Sequence, residues 1–458
     1  MTGSRTSAGG YPPTFPRKAQ PVALRGGSGD RSTRQSLRAR LANHAALAPL
    51  GDFLLRVRPA LSLFAASLIA FAPLQAAAQD MDESVSVRER PRPEYDPLGM
   101  RFGGFNLHAS LDLGVTSTDN LFAEETNEQD DMIYSAGLRG RLSSNWSRHA
   151  LAFEAGATTV SHEDFSSEDY DTSFAGVSGR LDVGGNSNIS GRARFAHEVE
   201  SRRDPDAPPS TDPLVEFDRM DVAVTAQHRF SRFRVSGTAA QTEREYDGVH
   251  SFRDFDETAL IGRFEAEVSP RVGLFVAATT DERDYDNTPA LNSEGQTYLV
   301  GAAVRLTDLL QGEVAVGQFE RDYDDPTVGD SDGLAVAANL EWYITRLTTI
   351  SLNARRNSEE QVGDTAVPFV ESRYGARVDH ELLRNVILTA GAQVGSREFD
   401  DTLTARDDDF FYADAGVDWL LNRRVVVSAR YERAEVDSDV PAAEFEEDRL
   451  SLGLSLRL

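Results

Sequence analysis

Leu450-Ser451-Leu452-Gly453-Leu454-Ser455-Leu456-Arg457-Leu458 alternates large apolar residues with small or polar ones at a strict period of two. Successive side chains of an extended strand point to opposite faces, so the leucines share one face and require a dry surface. At a free edge such a strand would invite pairing with other chains. In a closed barrel it pairs with the first strand and leaves no edge. A soluble β-sandwich ending on a buried strand is the competing reading of these residues taken alone.

The same alternation begins at Phe105 and continues to Leu458. Phe105, Leu107, Ala109, Leu111, Leu113 and Val115 share one face, against His108, Ser110, Asp112 and Gly114. The pattern recurs at 220–226, 260–268, 272–278 and 334–342, and eighteen such strands fit between 105 and 458. Their connections alternate in length. Short ones lie at 143–149, 184–188, 230–233, 269–271, 307–311, 345–348, 381–385 and 421–424. Long acidic ones lie at 116–130, 201–218, 286–295, 322–332, 400–409 and 434–448. A sandwich has no reason to gather its long loops at one end. The pattern predicts an all-β transmembrane up-and-down antiparallel barrel of about 18 strands, with short periplasmic turns and long acidic extracellular loops. Trp146, Trp342 and Trp419 fall in or just before short turns, where amphipathic rings favour a membrane interface.

The remaining composition agrees. A net charge of −27 argues against nucleic acid as a partner. No run of twenty apolar residues follows position 78, which excludes a helical membrane protein but not a barrel. Cysteine is absent, which suits an oxidising compartment. Residues 1–78 read as a signal peptide with an over-long basic N-terminal extension. An apolar core from Ala60 to Leu74 precedes Ala76-Ala77-Ala78, so the mature chain is expected to start near Gln79. Residues 79–104, rich in proline, read as an extended periplasmic arm, and 105–458 as the barrel.

A hairpin repeat carries the candidate lumen residues. Arg244-Glu245-Tyr246-Asp247, Arg283-Asp284-Tyr285-Asp286, Arg321-Asp322-Tyr323-Asp324 and Arg397-Glu398-Phe399-Asp400 follow one another at intervals of 39, 38 and 76 residues. Counting parity from Val235, Leu274, Val316 and Leu388 turns the arginine and the ring of each copy inward. Arg139, Arg141, Arg192, Arg194, Arg263, Arg305, Arg373, Arg377 and Arg430 share the inward parity, as do Asp112, Asp182, Glu265 and Asp379. Rings stack on sugar faces and guanidinium forks bind hydroxyls, carboxylates or phosphates, so Arg244, Tyr246, Arg283, Tyr285, Arg321, Tyr323, Arg397 and Phe399 are candidate saccharide contacts. Alternatively, a bulge near the rim turns the four rings into an outer aromatic girdle. No catalytic constellation is present: the histidines are scattered, and H-E-x-x-H and G-x-S-x-G are absent. No enzyme activity, cofactor or dedicated metal site is expected. Asp407-Asp408-Asp409 reads as a solvated charged rim.

The run Arg90-Pro91-Arg92-Pro93-Glu94-Tyr95-Asp96-Pro97-Leu98-Gly99, the strand after it, and Thr118-Asp119-Asn120-Leu121-Phe122-Ala123 resemble the opening of the outer-membrane family called putative β-barrel porin 2. Ser451, Gly453, Leu456 and Leu458 are similar to the C-terminal recognition strand of outer-membrane barrels, with leucine where an aromatic is commoner. The resemblance implies the bacterial outer membrane, contact with its lipid and the barrel-assembly machinery, and association with exopolysaccharide export through a periplasmic export partner. Three functions follow as expectations. They are an exopolysaccharide conduit, a general or solute-specific diffusion porin, and a structural barrel with a plugged lumen.

Overall fold

The computed structural model describes residues 85–205, 207, 210–307, 309–362, 366–399 and 406–458. The expected leader, 1–78, lies outside them. Among the described residues nineteen strands form one antiparallel sheet. β1 (Met100–Phe102) folds back on the start of β2 (Phe105–Thr118), so the wall itself has eighteen strands. It continues through β3 (Asp131–Ser144), β4 (Ala150–His162), β5 (Tyr170–Val183), β6 (Ser187–Val199), β7 (Glu216–Phe230), β8 (Phe233–Tyr246) and β9 (Phe255–Ser269). Next come β10 (Val272–Tyr285), β11 (Ser293–Thr307), β12 (Leu310–Tyr323), β13 (Ser331–Thr345) and β14 (Thr348–Val362). β15 (Ala366–Leu383), β16 (Val386–Phe399), β17 (Asp407–Leu420), β18 (Val425–Ser438) and β19 (Phe445–Arg457) complete it.

The alternating C-terminal stretch closes the wall. β19 lies antiparallel to β2, with Leu452 opposite Val115, Gly453 opposite Gly114 and Leu454 opposite Leu113. The Ser451 and Thr116 hydroxyls meet at 2.8 Å, and the Leu458 N–H donates to the Ala109 carbonyl at 2.9 Å. Leu456 and Leu458 share the outward parity of Leu450 and Leu452, while Ser451 and Gly453 share the inward one.

The outer face is apolar and bare. Leu334, Val300, Leu450 and Leu452 are each more than half exposed, the inverse of a soluble fold and the pattern of strands solvated by lipid. No helix among the described residues is long and apolar enough to cross a membrane. Trp146, Trp342 and Trp419 are exposed at the short-turn end. That end also holds the start of β2 and the finish of β19, and the Asn145 N–H donates to the Gly104 carbonyl there. Its connections are brief, among them 231–232, 270–271, 346–347 and 384–385. The opposite end carries the long loops, with one departure. β14 and β15 extend to 15 and 18 residues, and only 363–365 separate them.

Candidate functional site

The lumen is the site. In a wall strand one face meets lipid and the other the interior, so burial alternates along it. In β14 and β15 this alternation fails: Glu359 and Glu360 are both buried, as are Pro368 and Phe369. Pairing of β14 with β13 stops at Arg356–Val336, whereas its pairing with β15 runs on to Val362–Ala366. Beyond Arg356 the β14–β15 hairpin therefore leaves the wall, and Glu359, Glu360 and Pro368 are buried on it where one face of a wall strand would be bare.

Its landing point is the repeat motif. Tyr285 donates its hydroxyl to Glu360 Oε2 at 2.7 Å, and Tyr323 donates to Oε1 at 3.0 Å. Arg283 lies 2.9 Å from the same carboxylate and reaches Glu257 at 2.7 Å. Arg321 bonds Asp281 and donates to Ser293 Oγ at 2.8 Å. A carboxylate this deeply buried needs such partners, because an uncompensated buried charge is costly.

A second segment crosses from another direction. Residues 200–215 join β6 to β7, yet Arg203 reaches Glu447 of β19 at 2.5 Å, and Gln361 at the hairpin tip donates to the Pro205 carbonyl at 2.6 Å. Arg202–Glu168 and Arg253–Glu200 pairs, at 2.8 and 2.7 Å, fix its flanks. Val215 packs with Phe217 and Tyr246 beneath it. The long-loop mouth is thus narrowed by two inserted segments that touch each other.

The eight repeat positions share the strand parity opposite the exposed apolar residues Val235, Leu274, Val316 and Leu388. Tyr246, Tyr285, Tyr323 and Phe399 are buried, as are Arg321 and Arg397. Arg244 lies against the Phe217 and Phe255 rings, at 5.5 and 5.4 Å from their centroids. Arg397 sits 3.4 Å from Glu371 and 3.7 Å from Asp408. These groups face wall carboxylates and rings, and a sugar would reach them only by displacing those partners. Asp112, Glu265 and Asp379 are buried on the same inner side.

The short-turn end is narrowed by the chain's own arm. The segment expected to extend into the periplasm instead folds residues 86–96 into two turns, closed by Arg90 N–H to Ser86 O and Asp96 N–H to Arg92 O. Val87, fully buried, packs on Ile387, Leu420 and Val426 of the inner wall. Arg88 bonds Asp379 at 2.7 Å and Asp418 at 2.9 Å. Partial burial opposes its charge, but the Asp379 and Asp418 carboxylates more than offset this and hold its pKa above the ordinary arginine value. Arg92 meets Glu381 at 2.9 Å with both groups buried. Arg457 of β19 donates to the Tyr95 carbonyl at 3.1 Å. The arm therefore runs along the inner face from β14 to β19.

The open part of the lumen lies elsewhere. Arg139, Arg141 and Arg192, on β3 and β6, are inward-facing and exposed. Arg141 pairs with Glu154 at 3.1 Å. Arg139 extends across Gly156 to the Phe174 ring, 5.7 Å from its centroid, with Arg194 on the ring at 5.1 Å. A Cβ at Gly156 would stand 2.6 Å from Phe174, so only glycine lets that ring lie against the wall.

Parity identifies the inward residues but not the inserted segments. For the hairpin a signal exists in the sequence: Arg356, Ser358 and Glu360 are polar at positions where the strand's outward face should be apolar. For the arm, the cue is a cationic series, Arg88, Arg90 and Arg92, facing an acidic inner wall.

Residues 92–458 match the profile of the family described as putative β-barrel porin 2. No curated protein matches the chain. Solved structures similar to it include Acinetobacter baumannii OccAB3, at 12% identity and a TM-score of 0.44, over 78% of this chain and 100% of that one. A BenF-like porin from Pseudomonas fluorescens Pf-5 is 10% identical with a TM-score of 0.44, over 78% and 100%. OpdK of Pseudomonas aeruginosa, solved with vanillate, is 13% identical with a TM-score of 0.43, over 77% and 99%.

Proposed function

Because this chain belongs to the putative β-barrel porin 2 family, a porin-like barrel of the bacterial outer membrane, we propose that it is a passive diffusion channel for small polar solutes. The observation that carries this reading is the double narrowing of the long-loop mouth, where Glu360 meets Tyr285 and Tyr323 while Arg203 meets Glu447. Inserted segments occupy the β14–β15 side and leave the inward-facing groups of β3–β6 exposed, an arrangement that suits small hydrated molecules better than a folded or branched polymer. A wall of fixed ion pairs orients water and solute dipoles, and the repeat rings Tyr246, Tyr285, Tyr323 and Phe399 are buried rather than open to a passing sugar chain. Export of exopolysaccharide, which the resemblance implied, gains no support from the family match, since the family description names no substrate.

The test is solute entry into vesicles. Proteoliposomes carrying the purified barrel should swell in isotonic arabinose and glycine, and planar bilayers should show discrete conductance steps. Retention of these solutes together with passage of a long dextran would overturn the reading in favour of a polymer conduit. Absence of both would leave a structural barrel.

A further inference from the structure

At the short-turn end the arm covers the inner face of β14–β19 and leaves the far side of the rim open. There a cavity of about 570 Å³ is lined by Arg229, Arg232, Arg234, Arg305, Glu267 and the turn segment 268–270. Arg229, Arg234 and Arg305 are on the lumen-facing parity of their strands, so membrane phospholipid does not reach them. Arg229 reaches Glu267 at 2.8 Å, and Arg234 reaches Glu265 at 3.2 Å. No carboxylate of the described residues pairs with Arg232 or Arg305. Arg234 Nε is buried without a hydrogen-bond partner.

This arrangement works against the fold. Arg229 stands directly opposite Arg234 in the β7–β8 register, and like charges placed so are destabilising. Glu265 and Glu267 serve Arg229 and Arg234, while the Arg232 and Arg305 guanidinium groups, on the same pocket, meet no carboxylate of the described residues, in a chain whose net charge is −27. Two acids are supplied for four cations here, whereas at the opposite mouth Arg283, Arg321, Arg203 and Arg253 each meet a carboxylate. An anion arriving from solution would relieve the repulsion and satisfy the open donors, since guanidinium forks match oxyanions in geometry. The route leading to it is consistent: on the open side of the lumen, Arg139 and Arg192 are also exposed without a carboxylate partner among the described residues.

We propose that this pocket is an oxyanion site at the inner exit of the channel, taking the carboxylate or phosphate group of a small permeating solute. The proposal rests on the diffusion-channel reading and adds a ligand class to it. The test is calorimetric titration of the detergent-purified full chain with inorganic phosphate and, separately, with succinate, at low ionic strength because screening weakens exposed charges. Saturable binding of at least one anion is expected, weakened tenfold or more in the Arg232→Gln/Arg305→Gln variant while heat-modifiable migration stays unchanged. Glu267→Gln, which frees Arg229, should strengthen it several-fold. No saturable binding, equal binding by the double variant, or weaker binding by Glu267→Gln would overturn the site. Conductance of the same preparations separates the two ideas: binding without conductance sinks the channel reading, and conductance without binding sinks the site alone.

Discussion

Leu454 sits at the β2–β19 seam opposite Leu113, on the lipid face, while its neighbour Ser455 faces inward and is buried with its hydroxyl unpartnered. Arginine at position 454 should destabilise the barrel by roughly 2–4 kcal/mol, the cost of a cation on the lipid face near mid-depth. Arg192→Leu, at an exposed lumen position without an ion pair among the described residues, should change stability by less than about 0.5 kcal/mol. Urea titration followed by heat-modifiable migration measures both, and equal losses would contradict the face assignment. Residue by residue, the inward set was legible because a strand has a period of two. Tyr285 and Tyr323 could be placed from Leu274 and Val316 alone. Their partner Glu360 could not, because it lies on a hairpin that has left the wall, where parity carries no information.

Two elements depart from the simple barrel, and each has a physical cause. The β14–β15 hairpin turns in once its outward face loses apolar residues and lipid no longer rewards that face. The arm docks because Arg88 and Arg92 find the acidic patch of Asp379, Asp418 and Glu381. Sequence reasoning gave the arm its proline-rich, extended character but not its destination, since charge complementarity across hundreds of residues is invisible before the strands are assembled. The Arg92–Glu381 pair is buried on both sides. Breaking such a pair by removing one partner costs about 3–5 kcal/mol. Arg92→Ala should therefore release the arm, raise single-channel conductance and expose the segment around Tyr95 to added protease. Wild-type conductance together with a protease-resistant arm would show that the arm is held by other contacts.

For the whole molecule, the long acidic loops gather at one end and both strand termini of the wall lie at the other, and the end bearing the long loops is expected to face outside. Alternating connection lengths made the segregation of loops legible in the sequence, and the strand order bears that segregation out at every hairpin but β14–β15, where long strands replace a long loop. The orientation is open to direct measurement because the chain contains no cysteine, so one introduced thiol reports one position. Val249 lies in the long connection between β8 and β9 and is 83% exposed. Ser147 is exposed in the short turn between β3 and β4. A membrane-impermeant maleimide added to intact cells should label the Val249→Cys protein and spare Ser147→Cys, and outer-membrane permeabilisation should make the second site reactive. Labelling of Ser147→Cys in intact cells, with Val249→Cys protected, would invert the topology and move the arm, the arginine pocket and both ends of the strand wall to the cell surface.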